Sequence, residues 1–220
     1  MTYCISDIHG CYEEFTALLE QINFSDADTL YILGDVIDRG DATEQCLAYI
    51  KQAKNIHCLK GNHEVELFHS FMERLPKYAD WIRDWPLYEI VSVNGLSFFL
   101  SHAGIETSKP ISEQDDVDLT WTRDFHKVGK LFEHIFIFGH TPTPATHDNL
   151  NCALWFDEVH RDKVCIDCGC VFGGALCALR LDDGAVFYEK ALDRRGGKWH
   201  FTVEGEVSAL DFDAPVGGTE

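Results

Sequence analysis

Five short clusters of metal-binding and charged residues punctuate this chain: Ser6-Asp7-Ile8-His9-Gly10, Gly34-Asp35-Val36-Ile37-Asp38-Arg39-Gly40, Gly61-Asn62-His63-Glu64, Ser101-His102-Ala103-Gly104 and Gly139-His140-Thr141. Four follow an apolar run that reads as a buried strand, and the third follows a shorter one. Aspartate, histidine and asparagine delivered repeatedly from strand ends are the donor set of a two-metal hydrolytic site. One match of this size carries little weight; the signal lies in the shared setting and the order.

Asp7 and His9 are two residues apart. In an extended segment such residues point to the same side, so a carboxylate and an imidazole are expected to reach one cation, with Gly10 permitting close backbone approach. Asp35 ends the second run behind Gly34, and its two oxygens can bridge two cations. Asp38 and Arg39 follow on a tight turn, where charges are costly unless each has a partner. Arg39 offers a planar fork for a phosphoryl group, and Asp38 can orient a neighbouring imidazole. Asn62 and His63 are adjacent, so their side chains diverge: one can bind metal through its amide oxygen while the other faces substrate as a general acid. Glu64 is expected to cap the following helix. His102 and His140 each close an apolar run, and imidazole suits transition metals and zinc better than magnesium. His57, His69, His126, His134, His147 and His160 lack the strand-end-plus-glycine setting, and His200 is set aside with them. Arg123, in Leu119-Thr120-Trp121-Thr122-Arg123-Asp124, reads by spacing alone as a surface arginine.

These clusters need a sheet to hold them. Tyr3 to Ile5, Thr29 to Leu33 and Ile56 to Leu59 read as strands; Cys11 to Ile22, Gln45 to Lys54 and Glu64 to Lys77 read as helices. That rhythm implies a largely parallel sheet whose ligands sit beyond the carboxyl ends of the strands, where the first three clusters fall. Later, Leu87 to Val93 and Leu96 to Leu100 flank Asn94-Gly95, a hairpin signal. Asp115 to Lys130 reads as part loop and part helix. Ile135 to Phe138, Lys163 to Asp167, Ala175 to Leu181 and Ala185 to Glu189 read as strands. The expected fold class is α/β: two packed mixed β-sheets flanked by helices.

Bulk properties fit one catalytic domain over residues 1–220, 45% hydrophobic. Residues 194–220 read as a Gly-rich acidic tail, with an edge strand in Phe201 to Val203 or Val207 to Phe212 and a frayed end from Pro215. With 18 basic and 37 acidic residues the formal charge is -19, which argues against nucleic acid as a partner. Bound cations would reverse that sign locally. The nine cysteines are an odd number, and Cys4, Cys58, Cys152, Cys165 and Cys177 sit in apolar runs. Cys165-Ile166-Asp167-Cys168-Gly169-Cys170 lacks a second CxxC at zinc-ribbon spacing. Buried or semi-buried free thiols in a reducing compartment are expected. Asp7 and His9 interrupt the first apolar run, so no secretory signal is read, and no run nears the roughly 18 apolar residues of a membrane span. The expectation is a cytoplasmic protein without a membrane partner; oligomeric state is open, a monomer being compatible.

The clusters resemble the metallophosphoesterase superfamily, and within it the serine/threonine protein phosphatase branch, over roughly residues 3 to 190. Phe138-Gly139-His140-Thr141-Pro142 and Ile166 to Gly174 are similar to the compact bacterial and phage members. The resemblance implies an α/β sandwich with two divalent metal ions between the sheets, manganese foremost, with iron or zinc as alternatives. It implies Asp7 and His9 on the first metal, Asp35 on both, and Asn62, His102 and His140 on the second. His63 would be the acid paired with Asp38, and Arg39 and Arg123 would hold phosphate oxygens. Implied chemistry is attack on phosphorus by a metal-bridging hydroxide, on phosphoserine, phosphothreonine or phosphotyrosine proteins. The alternative is a symmetrical dinucleoside polyphosphate hydrolase; that sister branch usually replaces the aspartate before Arg-Gly, and Asp38 is present. A noncatalytic metal-binding or interaction module would lack a ligand or the acid, and none is missing. The chain departs from the branch at Ser6, where glycine is usual, and at Lys60, where many members carry arginine. The longer eukaryotic enzymes' tyrosine loop has no counterpart. Asp167 is read as supporting the site.

Overall fold

The structure is a computed structural model describing residues 1–66, 68, 70, 73–131, 133–146, 152–192 and 209–212. The first half builds β1 (Thr2–Ile5), α1 (Tyr12–Gln21), β2 (Thr29–Ile32), α2 (Thr43–Gln52), β3 (Ile56–Cys58), α3 (Asn62–Glu66) and α4 (Ala79–Arg83). The second half adds β4 (Tyr88–Val93), β5 (Leu96–Ser101), α5 (Asp116–Trp121), β6 (Ile135–Phe138), α6 (Thr143–Thr146), β7 (Trp155–Phe156), β8 (Lys163–Cys165), β9 (Ala175–Arg180) and β10 (Val186–Lys190).

These strands form two five-stranded mixed sheets, ordered β10-β9-β1-β2-β3 and β4-β5-β6-β8-β7. In the first, β1-β2 and β2-β3 are parallel, and β9 joins β1 antiparallel. In the second, β5-β6 and β6-β8 are parallel, and β4 closes back on β5 through the Asn94-Gly95 turn. The expected α/β sandwich is therefore the observed one.

Alternating side chains bind the layers, as the pleat requires. On β1, Ile5 packs with α1 and α2 residues such as Phe15, Leu18 and Leu47, while Cys4 faces the opposite way, between the sheets. Phe98 and Leu100 of β5 join that central layer with Ile137, Val164 and Leu179. Phe99 points outward to Phe125, Phe136 and Phe138. All nine cysteines are free and buried, which agrees with their reading as thiols packed like small hydrophobes.

Register decides where the site falls. Ile5 pairs with Ile32, and Ile32 with Cys58, so the first three clusters leave the first sheet side by side. Phe138 pairs with Cys165, so the segments carrying His140 and Asp167 leave the second sheet together, next to the end of β5.

Two expectations change. The third helix begins at Asn62 rather than Glu64, because the Glu64 carboxylate reaches back to the Gly61 N–H at 2.8 Å and stabilises an earlier start. Towards Lys77 the path is broken by a 3-10 turn at Pro76–Tyr78, where proline suits a first turn. Leu67, His69, Phe71, Met72, His147, His200, the expected strand at Phe201 to Val203 and the end from Pro215 lie outside the described residues. Of the Val207 to Phe212 expectation, Leu210 donates to the Gly184 carbonyl at 2.9 Å, without an assigned strand over residues 209–212. Among the described residues no helix is long and apolar enough to cross a membrane.

Candidate active site

Loops at the strand ends carry an unusual backbone. Asp7, His9, Asp35, Asp38, Arg39 and His140 all have φ between 44° and 70°, a left-handed region that costs a residue with a Cβ about 1 kcal/mol or more. This corrects the extended-segment reading of Asp7 and His9: both side chains are aimed inward by left-handed turns beyond Ile5, not by strand alternation. Two glycines make the close approaches tolerable. A Cβ on Gly61 would lie 2.1 Å from Asp35 Oδ1, and one on Gly139 would lie 2.3 Å from Asp7 Oδ2.

Asp35 is the focus of the floor. Its Oδ2 lies 3.4 Å from His9 Nε2, 3.5 Å from His102 Nε2 and 3.9 Å from His63 Nε2. Asn62 Oδ1 lies 3.0 Å from His102 Nε2 and 2.9 Å from His140 Nδ1. Asp7 Oδ2 accepts from the His140 backbone N–H at 3.0 Å and from Ser6 Oγ. The Asp7–His140 bond ties the ends of the two sheets together. Ser6, which reads from sequence as a small backbone change, thus also orients a carboxylate.

The rings are held so that lone pairs converge. His9 Nδ1 is 2.9 Å from the Ile37 carbonyl, and His102 Nδ1 is 2.8 Å from the Leu33 carbonyl. A carbonyl only accepts, so each Nδ1 carries the proton, and in the neutral ring Nε2 presents a lone pair. His102 Nε2 then faces two acceptor oxygens, Asn62 Oδ1 and Asp35 Oδ2. His140 turns its Nδ1 to the same Asn62 oxygen, and its Nε2 is buried without a hydrogen-bond partner. Lone pairs aimed at one another are repulsive unless a cation lies among them, and outer N–H to carbonyl bonds are the usual support of metal-binding histidines. The residues present therefore fit divalent metal. Asp35 belongs to both compact donor groups here, one with His9 and His63 and one with His102 and His140.

Electrostatics agree. Burial opposes the Asp35 charge, but His102, His9 and His63 hold its carboxyl well below the usual carboxylate range. Burial, with His102 and Arg123 nearby, pushes His140 down to about 2, leaving it an unprotonated donor. Burial also opposes a charge on His9, yet the hydrogen bond and charge of Asp35, with Asp7, raise it to about 9; a bound cation would displace that proton.

The rim is looser. His63 Nδ1 lies 2.9 Å from Asp38 Oδ2, off the line of an aligned hydrogen bond, and such pairs tighten with substrate in place. Asn62 and His63 do diverge, one towards His102 and His140, the other towards Asp38. Arg39 Nη2 lies 3.0 Å from His63 Nε2, and its guanidinium lies over Phe172 at 4.9 Å. Exposed Arg123 reaches Thr141 Oγ1 at 3.5 Å and lies over Trp121 at 5.7 Å; Trp121 in turn packs edge-on to the His140 ring at 5.5 Å. Lys60 lines a separate cleft with Phe68, Arg83 and Leu87. Asp167 accepts the Gly169 N–H at 2.9 Å and is raised well above a normal carboxyl by burial and by Asp7. Of the histidines set aside, His57 stacks on Tyr31, His134 meets Ser97, His126 packs on Trp155 and His160 pairs with Asp157.

Glu64 is the residue that sequence reading undervalued. Its Oε2 accepts from Asp35 N at 2.8 Å and Gly61 N at 2.8 Å, and its Oε1 from Val36 N at 2.9 Å and Ile37 N at 3.2 Å. Burial and the Asp35 charge push its carboxyl up to about 7, while the N–H donors favour the anion. This side chain clamps the loop that presents Asp35. Its place in the Gly61-Asn62-His63-Glu64 cluster was a signal, but three of its four partners, Asp35, Val36 and Ile37, lie 27 to 29 residues away.

Fold and site together define a metal-dependent phosphoester hydrolase. The calcineurin-like phosphoesterase family profile matches residues 2–175, and the chain belongs to that family, whose members use a dinuclear divalent metal centre. The symmetrical bis(5'-nucleosyl)-tetraphosphatase of Haemophilus influenzae is 32% identical over a match covering 47% of this chain and 44% of that protein, so the match spans less than half of the relative's length. A candidate diadenosine tetraphosphatase of known structure superposes with a TM-score of 0.68 at 20% identity, covering 87% of this chain and 94% of that one. A protein serine/threonine phosphatase from Saccharomyces cerevisiae gives 0.56 at 14%, covering 94% and 82%. At those identities the structural likenesses show the fold alone.

Proposed function

We propose that the chain is one catalytic domain that hydrolyses dinucleoside polyphosphates symmetrically, with Asp7, His9 and Asp35 holding one divalent ion and Asp35, Asn62, His102 and His140 the other. The convergence on Asp35 Oδ2 carries the phosphoester chemistry; the 32% identity to a symmetrical tetraphosphatase favours that substrate class over a phosphoprotein. Manganese is our proposed metal, with iron and zinc as alternatives. When bound, such ions polarise phosphoryl oxygens and lower the pKa of water.

The chain's own groups do the rest. Arg39 leaves its contact with His63 Nε2 to grip phosphate oxygens, which frees that nitrogen to face the leaving group. Asp38 holds the ring through Nδ1 while Nε2 delivers the proton. Arg123 supplies a second guanidinium from the opposite sheet, and both stabilise charge growing on the phosphoryl oxygens. These cations make the cleft attractive to a polyanion on an acidic protein.

The Asp38–His63 contact supports a second reading, a serine/threonine protein phosphatase, because an alkoxide leaving group depends most on a positioned acid. Turnover of diadenosine tetraphosphate and a phosphopeptide, measured side by side with manganese, separates the two. We expect kcat/KM to favour the dinucleotide by about tenfold or more; the reverse preference would establish the second reading.

A further inference from the structure

A cleft of about 430 Å³ opens beside the rim, lined by Asp38, Arg39, Thr43, Glu44, Arg74 and Leu75 among others. It shares Asp38 and Arg39 with the site, so it adjoins the centre on the side of those two residues. Its three acids are all engaged: Asp38 lies against His63 at 2.9 Å, Glu44 pairs with Lys77 at 2.6 Å, and Asp41 has a partner of its own. Arg74 is exposed, and among the described residues it makes no ion pair or hydrogen bond. The cleft thus offers one guanidinium shared with the site and a second, unpaired one further out.

The two substrate classes make different demands here. Cleavage of a phosphoserine releases an alkoxide, which needs a proton and no outer cation. Symmetrical cleavage of a dinucleoside tetraphosphate breaks one P–O bond of the central anhydride: water's oxygen joins one phosphorus, and the other half departs as a nucleoside diphosphate. That leaving group carries its negative charge outward, along several phosphoryl oxygens. A planar fork beyond Arg39 suits it, since bidentate guanidinium–phosphate pairs are strong and directional.

We infer that Arg74, acting with Arg39, forms a subsite for the departing nucleoside diphosphate of a dinucleoside polyphosphate. The inference rests on the proposed substrate class. It makes Arg74 a specificity residue for that class, placed on the connection between α3 and α4.

The test uses the manganese-loaded wild-type chain and Arg74→Ala, with diadenosine tetraphosphate and para-nitrophenyl phosphate as substrates and ADP and inorganic phosphate as inhibitors. Loss of one charge-assisted contact is worth about tenfold. Arg74→Ala should lower kcat/KM for the dinucleotide about tenfold more than for the aryl phosphate. It should weaken inhibition by ADP by a similar factor, with a much smaller change for inorganic phosphate, and Arg74→Lys should restore part of both losses. Equal effects on the two substrates, with unchanged ADP inhibition, would overturn the subsite and leave the proposed function standing. A wild-type chain that turns over the aryl phosphate but not the dinucleotide would overturn both.

Discussion

Floor and rim of the cleft are built differently. Asp7, His9, Asp35, Asn62, His102 and His140 on the floor are between 0 and 9% exposed, and several are cross-linked to backbone groups of another loop or of the opposite sheet. At the rim, Arg39 and Arg123 are exposed and Asp38 is half-buried; among the described residues Arg123's polar contact is a single one at 3.5 Å. The floor is a consequence of the fold: register brings its loops together and left-handed turns aim its side chains. The rim is carried by more exposed side chains, so substitutions there are expected to leave the floor in place.

Substitutions can break the comparison. Asp35→Asn removes the anion common to both donor groups, and phosphate release should fall by about a thousandfold or more. Glu64→Gln comes next. It keeps the shape but places an NH2 group against backbone N–H donors, which should cost about 2 kcal/mol in chemical denaturation and weaken metal binding by about tenfold to a hundredfold. A variant destabilised to that extent but with unaltered metal affinity would show that Glu64 only supports the fold. Arg123→Ala should have the smallest effect, about tenfold in kcat/KM, with metal content and denaturation midpoint unchanged. If Arg123→Ala lost metal as Asp35→Asn does, the line between floor and rim would be misplaced.

Much of the floor was legible in the chain because its signal is local. A buried run such as Ile135 to Phe138, followed by Gly139-His140, states a strand end and a donor within a few residues. The Asn94-Gly95 hairpin was equally plain. What was not legible depends on contacts between distant segments. Left-handed φ at Asp7 and His9 follows from the way the loops after β1 and β2 lock together, with His9 N donating to the Asp35 carbonyl at 2.8 Å. Trp121 and Phe172 meet His140 and Arg39 only once separate loops have packed together, whereas Ser6 bonds to its own neighbour Asp7. Asp38 is instructive in another way. Its sequence context favours a protein phosphatase, and the structure does place it against His63. A carboxylate that orients an imidazole does not specify which leaving group receives the proton, so the presence of Asp38 does not by itself choose a substrate.

The central claim is that Asp35 joins two metal sites into one hydrolytic centre. Metal content and phosphate release, measured together on the wild-type chain and on Asp35→Asn after manganese loading, test it most directly. Two tightly held ions per wild-type chain are expected, with activity lost on chelation and regained with metal, and loss of both ions and turnover in the variant. A variant that kept two ions and full turnover would contradict it.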